Sequence, residues 1–220
     1  MKYDLAIFDM DGTIIDSMWI WKELALRTFT QRGVRAPENL ELMLFSMDFL
    51  DAADYCIRES GVDMTKEQLV EEWTRDAQRM YEQEITLKPY TREMLEHLRS
   101  LGMTLCLTTA NFKEIAVMIL DKFSLTSLFD SVTTTSEVNA SKLQPDVFLL
   151  TALKHQTKPE RCVVFEDSYY AVQGAKAAGM GVIGVFDDFA KHTEPDIRLL
   201  ADAYIYSFGE LLEDPSLFIE

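Results

Sequence analysis

Cysteine and histidine are scarce in this chain of 220 residues, with three of each. The cysteines lie far apart and form no C-x-x-C pair, so neither a disulfide framework nor a zinc knuckle is expected, and a reducing compartment fits. Cys106 and Cys162 lie within apolar runs and are predicted to be buried thiols. The histidines (His97, His155 and His192) have no matching partners, so we do not expect them to be catalytic.

Positive charge is also in short supply. The chain has 21 Lys and Arg against 37 Asp and Glu, a formal net charge of −16. A surface this acidic repels phosphate backbones, so neither nucleic acid nor an anionic membrane is expected as a partner. No apolar run approaches the ~20 residues of a membrane-spanning helix. The first residues, with Asp4, Asp9 and Asp11, lack the apolar stretch of a signal peptide. We therefore expect a cytoplasmic protein, and the oligomeric state is not readable.

Apolar segments of the chain follow the pattern of an α/β fold. Hydrophobic residues make up 48% of the chain and charged residues 26%, as in globular domains. Short apolar runs that are typical of strands lie at 3–8, 103–108, 129–133, 162–165, 181–185 and 203–206. After Pro89, predicted helices alternate with these runs, which indicates crossover connections and a parallel sheet. The predicted core is a Rossmann-like, doubly wound parallel sheet.

A helical block interrupts this pattern after the first predicted strand. Residues 16–83 hold no convincing strand, and Asp16 or Ser17 is expected to cap the first helix. The predicted organisation is therefore an α/β core domain of residues 1–15 and 84–220, with residues 16–83 as an inserted, all-helical cap domain.

Polar residues collect where the predicted strands end, and ligands bind beyond the carboxyl ends of the strands in open parallel sheets. Asp9 and Asp11 directly follow the first strand. The later strand ends and loops supply Thr109, Ala110, Asn111, Lys142, Glu166 and Asp167. These groups are scattered in sequence, and we expect the sheet to bring them together.

The chemistry of this set favours phosphoryl transfer. Carboxylates at one edge repel each other, and a hard divalent cation such as Mg²⁺ relieves the repulsion. A carboxylate beside the cation can attack phosphorus and form an aspartyl phosphate. Lys142, the Thr109 hydroxyl and backbone N–H groups can hold phosphoryl oxygens. A second carboxylate can protonate the leaving oxygen and later deprotonate water.

Four segments resemble, in order, the four motifs of the haloacid dehalogenase superfamily. They are Phe8-Asp9-Met10-Asp11-Gly12-Thr13, Leu107-Thr108-Thr109-Ala110-Asn111, Lys142-Leu143-Gln144-Pro145-Asp146 and Val164-Phe165-Glu166-Asp167-Ser168. The resemblance covers essentially the whole chain, and its helical cap is similar to that of the β-phosphoglucomutase and phosphoglycolate phosphatase branch. The chain departs from the pattern at Ser141 and Leu143, which flank Lys142 where the family commonly has Gly and Pro, and at Ala171, where Gly is usual.

This resemblance implies a role for each candidate. Asp9 would be the nucleophile and Asp11 the general acid/base, with its backbone carbonyl on Mg²⁺. Phosphate binding would fall to Thr109, Ala110, Asn111 and Lys142. The metal ligands would be Asp9, Asp11, Glu166 and Asp167. Family dehalogenases lack the second aspartate, so Asp11 indicates phosphorus chemistry.

These residues are compatible with three functions. The favoured one is a Mg²⁺-dependent phosphatase that hydrolyses a small-metabolite phosphomonoester through an aspartyl phosphate. The alternative is a sugar phosphomutase of the β-phosphoglucomutase type, in which a cap His and a cap Arg serve the cycle. Here residues 17–21 contain no His and residues 45–48 no Arg, which favours hydrolysis. A non-enzymatic phospho-switch of the receiver type fits less well, because receivers are about half as long and have no cap.

Overall fold

Two units make up the chain in the computed structural model, which describes residues 2–45, 47 and 49–214. One unit combines Met1–Asp16 with Thr86–Glu220, and the other is Ser17–Ile85. Residues 45–48 include Ser46 and Asp48, which lie outside the described residues, so what the missing Arg indicates there stays a prediction from the sequence.

A parallel sheet forms the centre of the first unit. The described strands are β1 (Leu5–Phe8), β2 (Ile15–Asp16), β3 (Thr86–Leu87), β4 (Thr104–Thr109), β5 (Ser131–Thr134), β6 (Cys162–Glu166), β7 (Gly181–Val185) and β8 (Ala203–Ile205). β2 pairs antiparallel with β3, and the other six strands form one parallel sheet in the order β5-β4-β1-β6-β7-β8. The direction of the winding reverses at β1, where open α/β sheets bind ligands. The predicted α/β, Rossmann-like fold is confirmed.

Helices fill the chain between the strands. They are α1 (Trp19–Thr30), α2 (Leu40–Phe45), α3 (Phe49–Ser60), α4 (Lys66–Gln83), α5 (Thr91–Ser100), α6 (Lys113–Lys122), α7 (Asp146–Lys154), α8 (Tyr169–Ala177), α9 (Glu194–Leu200) and α10 (Phe208–Glu213). The sequence prediction missed α9 and α10. A capping box between Ser207 and Glu210 begins α10, and this Ser-x-x-Glu signal is visible in the sequence.

The central strands are apolar on both faces because helices cover the sheet on both sides. All four residues of β1 are buried, as are all five of β6. Phe8 and Phe165, on these neighbouring strands, stack with ring centroids 4.4 Å apart. This packing holds the carboxyl ends of β1 and β6 side by side.

In the second unit, the first helix begins later than the sequence suggests. Its N-cap is Met18, which makes no side-chain cap hydrogen bond, so the predicted capping by Asp16 or Ser17 is wrong. Asp16 instead pairs with Thr86 as the last residue of β2. Pairing with β3 therefore takes up Asp16, a residue whose local propensity favours the start of a helix.

A buried polar contact joins the first and the last helix of this unit. Trp73 on α4 donates its indole N–H to the Thr28 hydroxyl on α1 at 3.0 Å, and Thr28 in turn donates to the Leu24 carbonyl at 3.1 Å. α4 begins with a capping box at Thr65. Both features satisfy polar groups that burial or a helix end would leave unpaired.

The three cysteines are free and buried, which confirms the predicted burial of Cys106 and Cys162 and adds Cys56. Burial raises the pKa of Cys56 and of Cys162 to about 12, and that of Cys106 to about 11. They are therefore protonated packing residues at neutral pH. Among the described residues, none of the helices is both long and apolar enough to cross a bilayer.

Candidate active site

The site is built on the end of β1, where strand pairing carries one residue beyond Phe8. The Asp9 N–H donates to the Phe165 carbonyl at 3.0 Å. That bond holds Asp9 beside the last residue of β6 and the one that follows it. Asp9, Glu166 and Asp167 each place a carboxylate oxygen so that the three lie within 4.8 Å of one another, and all three residues are buried.

A tight turn after Asp9 fits closely against Asp167. Gly12 has a φ of +83°, and a Cβ at this position would lie 2.4 Å from Asp167 Oδ2. Gly12 is therefore required twice, for its backbone conformation and for the space that it leaves. The next residue, Thr13, donates its hydroxyl to Asp167 Oδ1 at 2.8 Å, which orients that carboxylate.

One buried cation faces this acidic cluster. The Lys142 ammonium donates to Asp9 Oδ1 and, at 2.7 Å, to Glu166 Oε1. The other oxygen of Glu166 accepts from the Ser168 N–H at 3.0 Å. Three carboxylates and one ammonium leave two formal negative charges.

The position of Lys142 depends on a close approach between its loop and α8. A Cβ on Gly174 would lie 2.0 Å from the Lys142 carbonyl oxygen and 3.0 Å from that of Gln144. Only a glycine permits this contact, so Gly174 sets where the Lys142 backbone can lie. The family pattern has Gly at the position of Ala171, and in this chain the close approach occurs at Gly174, about one helical turn later.

Burial dominates the electrostatics of the cluster. It raises the pKa of Asp9 to about 8 against the ordinary 3.8, with Glu166 and Asp11 adding to the rise and Lys142 opposing it. Burial and the neighbouring Glu166 and Asp9 likewise raise the pKa of Asp167 well above its usual range. Burial lowers the pKa of Lys142, but the facing carboxylates outweigh it and the net shift is upward. The carboxylates therefore resist ionising together unless a cation joins them.

This donor set fits a hard divalent cation. It offers several carboxylate oxygens and no sulfur or imidazole group, as Mg²⁺ prefers. The two uncompensated negative charges match the charge of such an ion. Asp9, Glu166 and Asp167 are the side chains that could hold it.

A second group of predicted residues meets at the ends of β1 and β4. The Asn111 side-chain Nδ2 donates to Asp11 Oδ2 at 3.2 Å. Thr109 is buried, and its hydroxyl accepts from the Asn111 N–H at 3.0 Å. Ala110 lies exposed between them. The side-chain contacts thus place Asp11 with Asn111, and Asp9 with Lys142 and Glu166.

Sequence reasoning missed three residues that shape the site. Thr13 and Asp167 are 154 positions apart, and no spacing pattern links them. Nothing in the sequence distinguishes Gly174 from an ordinary helix position. Asp187, buried just beyond β7, accepts from the Lys88 ammonium at 2.8 Å. An Asp that closely follows an apolar strand is the sequence signal that could have marked Asp187 in advance.

Comparison with known proteins gives a consistent family. The model of the haloacid dehalogenase-like hydrolases matches residues 6–185. Hexitol phosphatase B of Escherichia coli (strain K12) is 30% identical over 210 residues, which are 94% of this chain and 93% of that protein. Fructose-1-phosphate phosphatase YqaB of the same organism is 28% identical over 84% of this chain and 97% of its own length.

Solved structures share the fold at lower identity. CbbY from Rhodobacter sphaeroides, in complex with phosphate, has a TM-score of 0.76 and 22% identity over 95% of this chain and 96% of its own. The β-phosphoglucomutase from Clostridium difficile has a TM-score of 0.72 and 18% identity over 95% and 93%. At these identities the likeness concerns the fold alone.

Proposed function

Since this chain belongs to the haloacid dehalogenase-like hydrolase family, we propose that it hydrolyses its phosphate ester with Mg²⁺ through a phosphorylated Asp9. The chain is an enzyme of phosphate-ester hydrolysis that acts on small phosphorylated metabolites. The observation that carries the finer proposal is the Asp9 carboxylate, buried against Lys142 among two further carboxylates. Such a group can act as a nucleophile toward phosphorus once its charge is balanced.

In the first half of the reaction, an Asp9 oxygen attacks phosphorus as the bond to the leaving oxygen breaks. Lys142, which contacts Asp9, orients the nucleophile and balances charge on the phosphoryl oxygens. The Thr109 hydroxyl and the backbone N–H groups near Ala110 hold other phosphoryl oxygens. Asp11, two residues beyond Asp9, gives its proton to the leaving oxygen.

In the second half, water replaces the alcohol. The Asp11 carboxylate takes a proton from water as the water oxygen attacks phosphorus, and the bond from Asp9 to phosphorus breaks. Asp9 is restored, inorganic phosphate leaves, and Asp11 holds a proton for the next cycle. One group thus serves as acid and then as base, as the proposed role of Asp11 requires.

The proposed metal ligands are the side chains of Asp9, Glu166 and Asp167 and the backbone carbonyl of Asp11. When bound, Mg²⁺ supplies positive charge beside the phosphoryl group and offsets the repulsion between the carboxylates. Thr13 keeps Asp167 oriented toward this position, and Ser168 does the same for Glu166.

The test is a phosphate-release assay over a panel of metabolite phosphates, run with MgCl₂ and with EDTA. The panel includes hexitol phosphates, fructose 1-phosphate, glycerol 3-phosphate, pseudouridine 5'-phosphate and β-glucose 1-phosphate. We expect metal-dependent release from one chemical class. A coupled readout for glucose 6-phosphate tests the mutase alternative. Glucose 6-phosphate formed without phosphate release would overturn the proposal in favour of a mutase.

A further inference from the structure

The contact between Asn111 and Asp11 indicates a role for Asn111 other than phosphate binding. We infer that Asn111 is a positioning residue for the acid/base Asp11, holding its carboxylate and directing the proton to one of its two oxygens. The inference rests on the proposed function, because it needs Asp11 as the proton donor and acceptor. It adds the group that controls where that proton sits.

The loop fixes which way the Asn111 amide points. The Phe112 N–H, just before α6, donates to Asn111 Oδ1 at 2.8 Å. An N–H donor can face only the oxygen of an amide, so the amide nitrogen is turned to the other side. That nitrogen is the atom 3.2 Å from Asp11 Oδ2. A second bond, from the Asn111 N–H to the Thr109 hydroxyl at 3.0 Å, fixes the backbone of the same residue.

The chemistry of an amide nitrogen then determines which Asp11 oxygen can carry a proton. Nδ2 carries two hydrogens and accepts no hydrogen bond, so Asp11 Oδ2 must act as the acceptor in this contact. The ionised carboxylate satisfies this, and so does the neutral acid when its proton is on Oδ1. A proton on Oδ2 would face another donor. Asn111 therefore directs proton exchange to Oδ1 in both halves of the reaction and restrains the carboxylate in one orientation.

Chemical steps that need this proton should depend on Asn111, and steps that do not should depend on it far less. An alkoxide leaving group such as that of fructose 1-phosphate requires protonation as its bond to phosphorus breaks. The p-nitrophenolate of p-nitrophenyl phosphate leaves without a proton. Single-turnover measurement isolates the first half of the reaction, in which Asp11 acts as the acid.

The test compares Asn111→Asp and Asn111→Ala with Asp11→Asn in the presence of Mg²⁺. Asn111→Asp keeps the oxygen that accepts from Phe112 and replaces the donor, whereas Asn111→Ala removes both. We expect either Asn111 variant to slow the single turnover of fructose 1-phosphate, or of the alkyl phosphate that the panel selects, by about 10-fold to 100-fold, part of the 10²–10⁴-fold that acid catalysis supplies. The loss with p-nitrophenyl phosphate should be at least about tenfold smaller.

Other roles of Asn111 give other results. Phosphate binding through Nδ2 would raise KM for both substrates alike, and a purely structural role of Oδ1 would leave Asn111→Asp close to the unchanged protein. Either outcome would overturn the inference. If Asn111→Ala folds poorly, Asn111→Asp, which keeps the bond from Phe112, carries the test. In the Asp11→Asn protein we expect either Asn111 substitution to slow turnover by less than about twofold, because the group it positions is already gone.

The proposed function fails separately from this inference. If Asp11→Asn itself does not lose more activity on the alkyl phosphate than on p-nitrophenyl phosphate, Asp11 is not the acid and the mechanism is wrong. If Asp11→Asn has that signature and the Asn111 variants do not, the mechanism stands and only the role of Asn111 is wrong.

Discussion

Asp9 lies in an environment that a lone carboxylate would avoid. It is buried, it faces two other acidic side chains, and Lys142 is the ammonium that contacts it. Burial of a charge is tolerated in proteins where a partner or a metal balances it. A bound cation would balance the remaining negative charge of the cluster, and the cluster's stability should respond strongly to changes in charge.

Replacing Asp9, the proposed nucleophile, should separate activity from stability. We expect Asp9→Asn to lower kcat by at least about 10³-fold, because an amide cannot attack phosphorus. The protein should remain folded, with a Tm in EDTA no lower than before, since a neutral group replaces a buried carboxylate. Asp4→Asn is a matched control, because Asp4 is an exposed residue just before the other end of β1. Turnover above about one per cent in Asp9→Asn would contradict the assignment.

Metal binding should be coupled to protons at the same residue. The folded-state pKa of Asp9, about 8, is above the ordinary 3.8 of an unfolded chain. Without a cation, the folded protein therefore holds a proton that the unfolded chain has lost, and the free energy of unfolding falls as pH rises through this window. Bound Mg²⁺ requires the ionised form, so its affinity rises over the same window.

Thermal unfolding measures this coupling. We expect the increase in Tm on adding MgCl₂ in place of EDTA to be larger at about pH 8 than at about pH 6. The Asp9→Asn protein should show a smaller difference between the two pH values. An increase in Tm that is independent of pH, or greater at the lower pH, would mean that Mg²⁺ does not displace protons from this cluster.

At the scale of elements, the site depends on how closely α8 approaches the Lys142 loop. Gly174 has no side chain, and the loop carbonyls of Lys142 and Gln144 occupy the space that one would fill. Alanine is the better helix former by about 1 kcal/mol. Here the nearest atoms are backbone, so that advantage is lost to a clash that only movement of the loop can relieve.

Gly174→Ala should therefore destabilise the protein by about 1–3 kcal/mol, as overpacked cores do. It should also lower kcat, because the loop that shifts carries Lys142. Urea unfolding and a phosphate-release assay check the two effects. Gln173→Ala, the neighbouring position on α8, is the control for helix propensity and should change neither by much. A more stable, fully active Gly174→Ala protein would show that the loop yields freely.

Sequence patterns predicted most of these elements for identifiable physical reasons. Apolar runs ending in Asp or Glu marked β1 and β6, since parallel strands are buried on both faces and ligands bind at their ends. β2 and β3 were missed because two-residue strands have no periodicity, and their pairing took Asp16 from the predicted helix cap. α9 was missed because it has only seven residues, although the Pro in its first turn is a helix-start signal.

The candidate site was predictable to the same extent. Five of its residues lie in motifs whose residue types indicate the chemistry, namely Asp9, Asp11, Lys142, Glu166 and Asp167. Thr13 and Gly174 act through contacts with segments distant in sequence, which only the folded chain reveals. The direction of the Asn111 amide likewise depends on the hydrogen bond with Phe112, which the sequence alone does not show.

At the scale of the whole molecule, one ion pair fastens the chain where it returns to the first unit. Lys88 follows β3 and donates to Asp187 Oδ2 at 2.8 Å and to the Phe186 carbonyl at 2.6 Å, beyond the end of β7. The other oxygen of Asp187 accepts from the Phe189 N–H at 2.9 Å. Both charged side chains are largely buried, so neither can lose its partner without cost.

Removing both partners should cost less than the sum of removing each one alone. We expect Lys88→Met or Asp187→Leu alone to destabilise the protein by about 3–5 kcal/mol, since each leaves an unpaired buried charge. The double variant should be more stable than the sum of the single effects predicts, with a coupling of about 1–3 kcal/mol. Urea unfolding of the four proteins gives the cycle. Simple additivity would mean that the two charges do not stabilise each other.

The place of β1 in the sheet also determines when, during synthesis, its pairing can be completed. Leu5 pairs with Thr104 on one side and with Cys162 on the other. A ribosome adding 5–20 residues each second makes the second partner about 8 to 30 s after β1 has been made. Until β4 has been made, this apolar strand leading to Asp9 has both edges unpaired, and the edge that meets β6 stays unpaired for the whole interval. The part of the enzyme that is translated first is therefore assembled late, and nascent chains that stall before residue 162 would be those most exposed to chaperones and to aggregation.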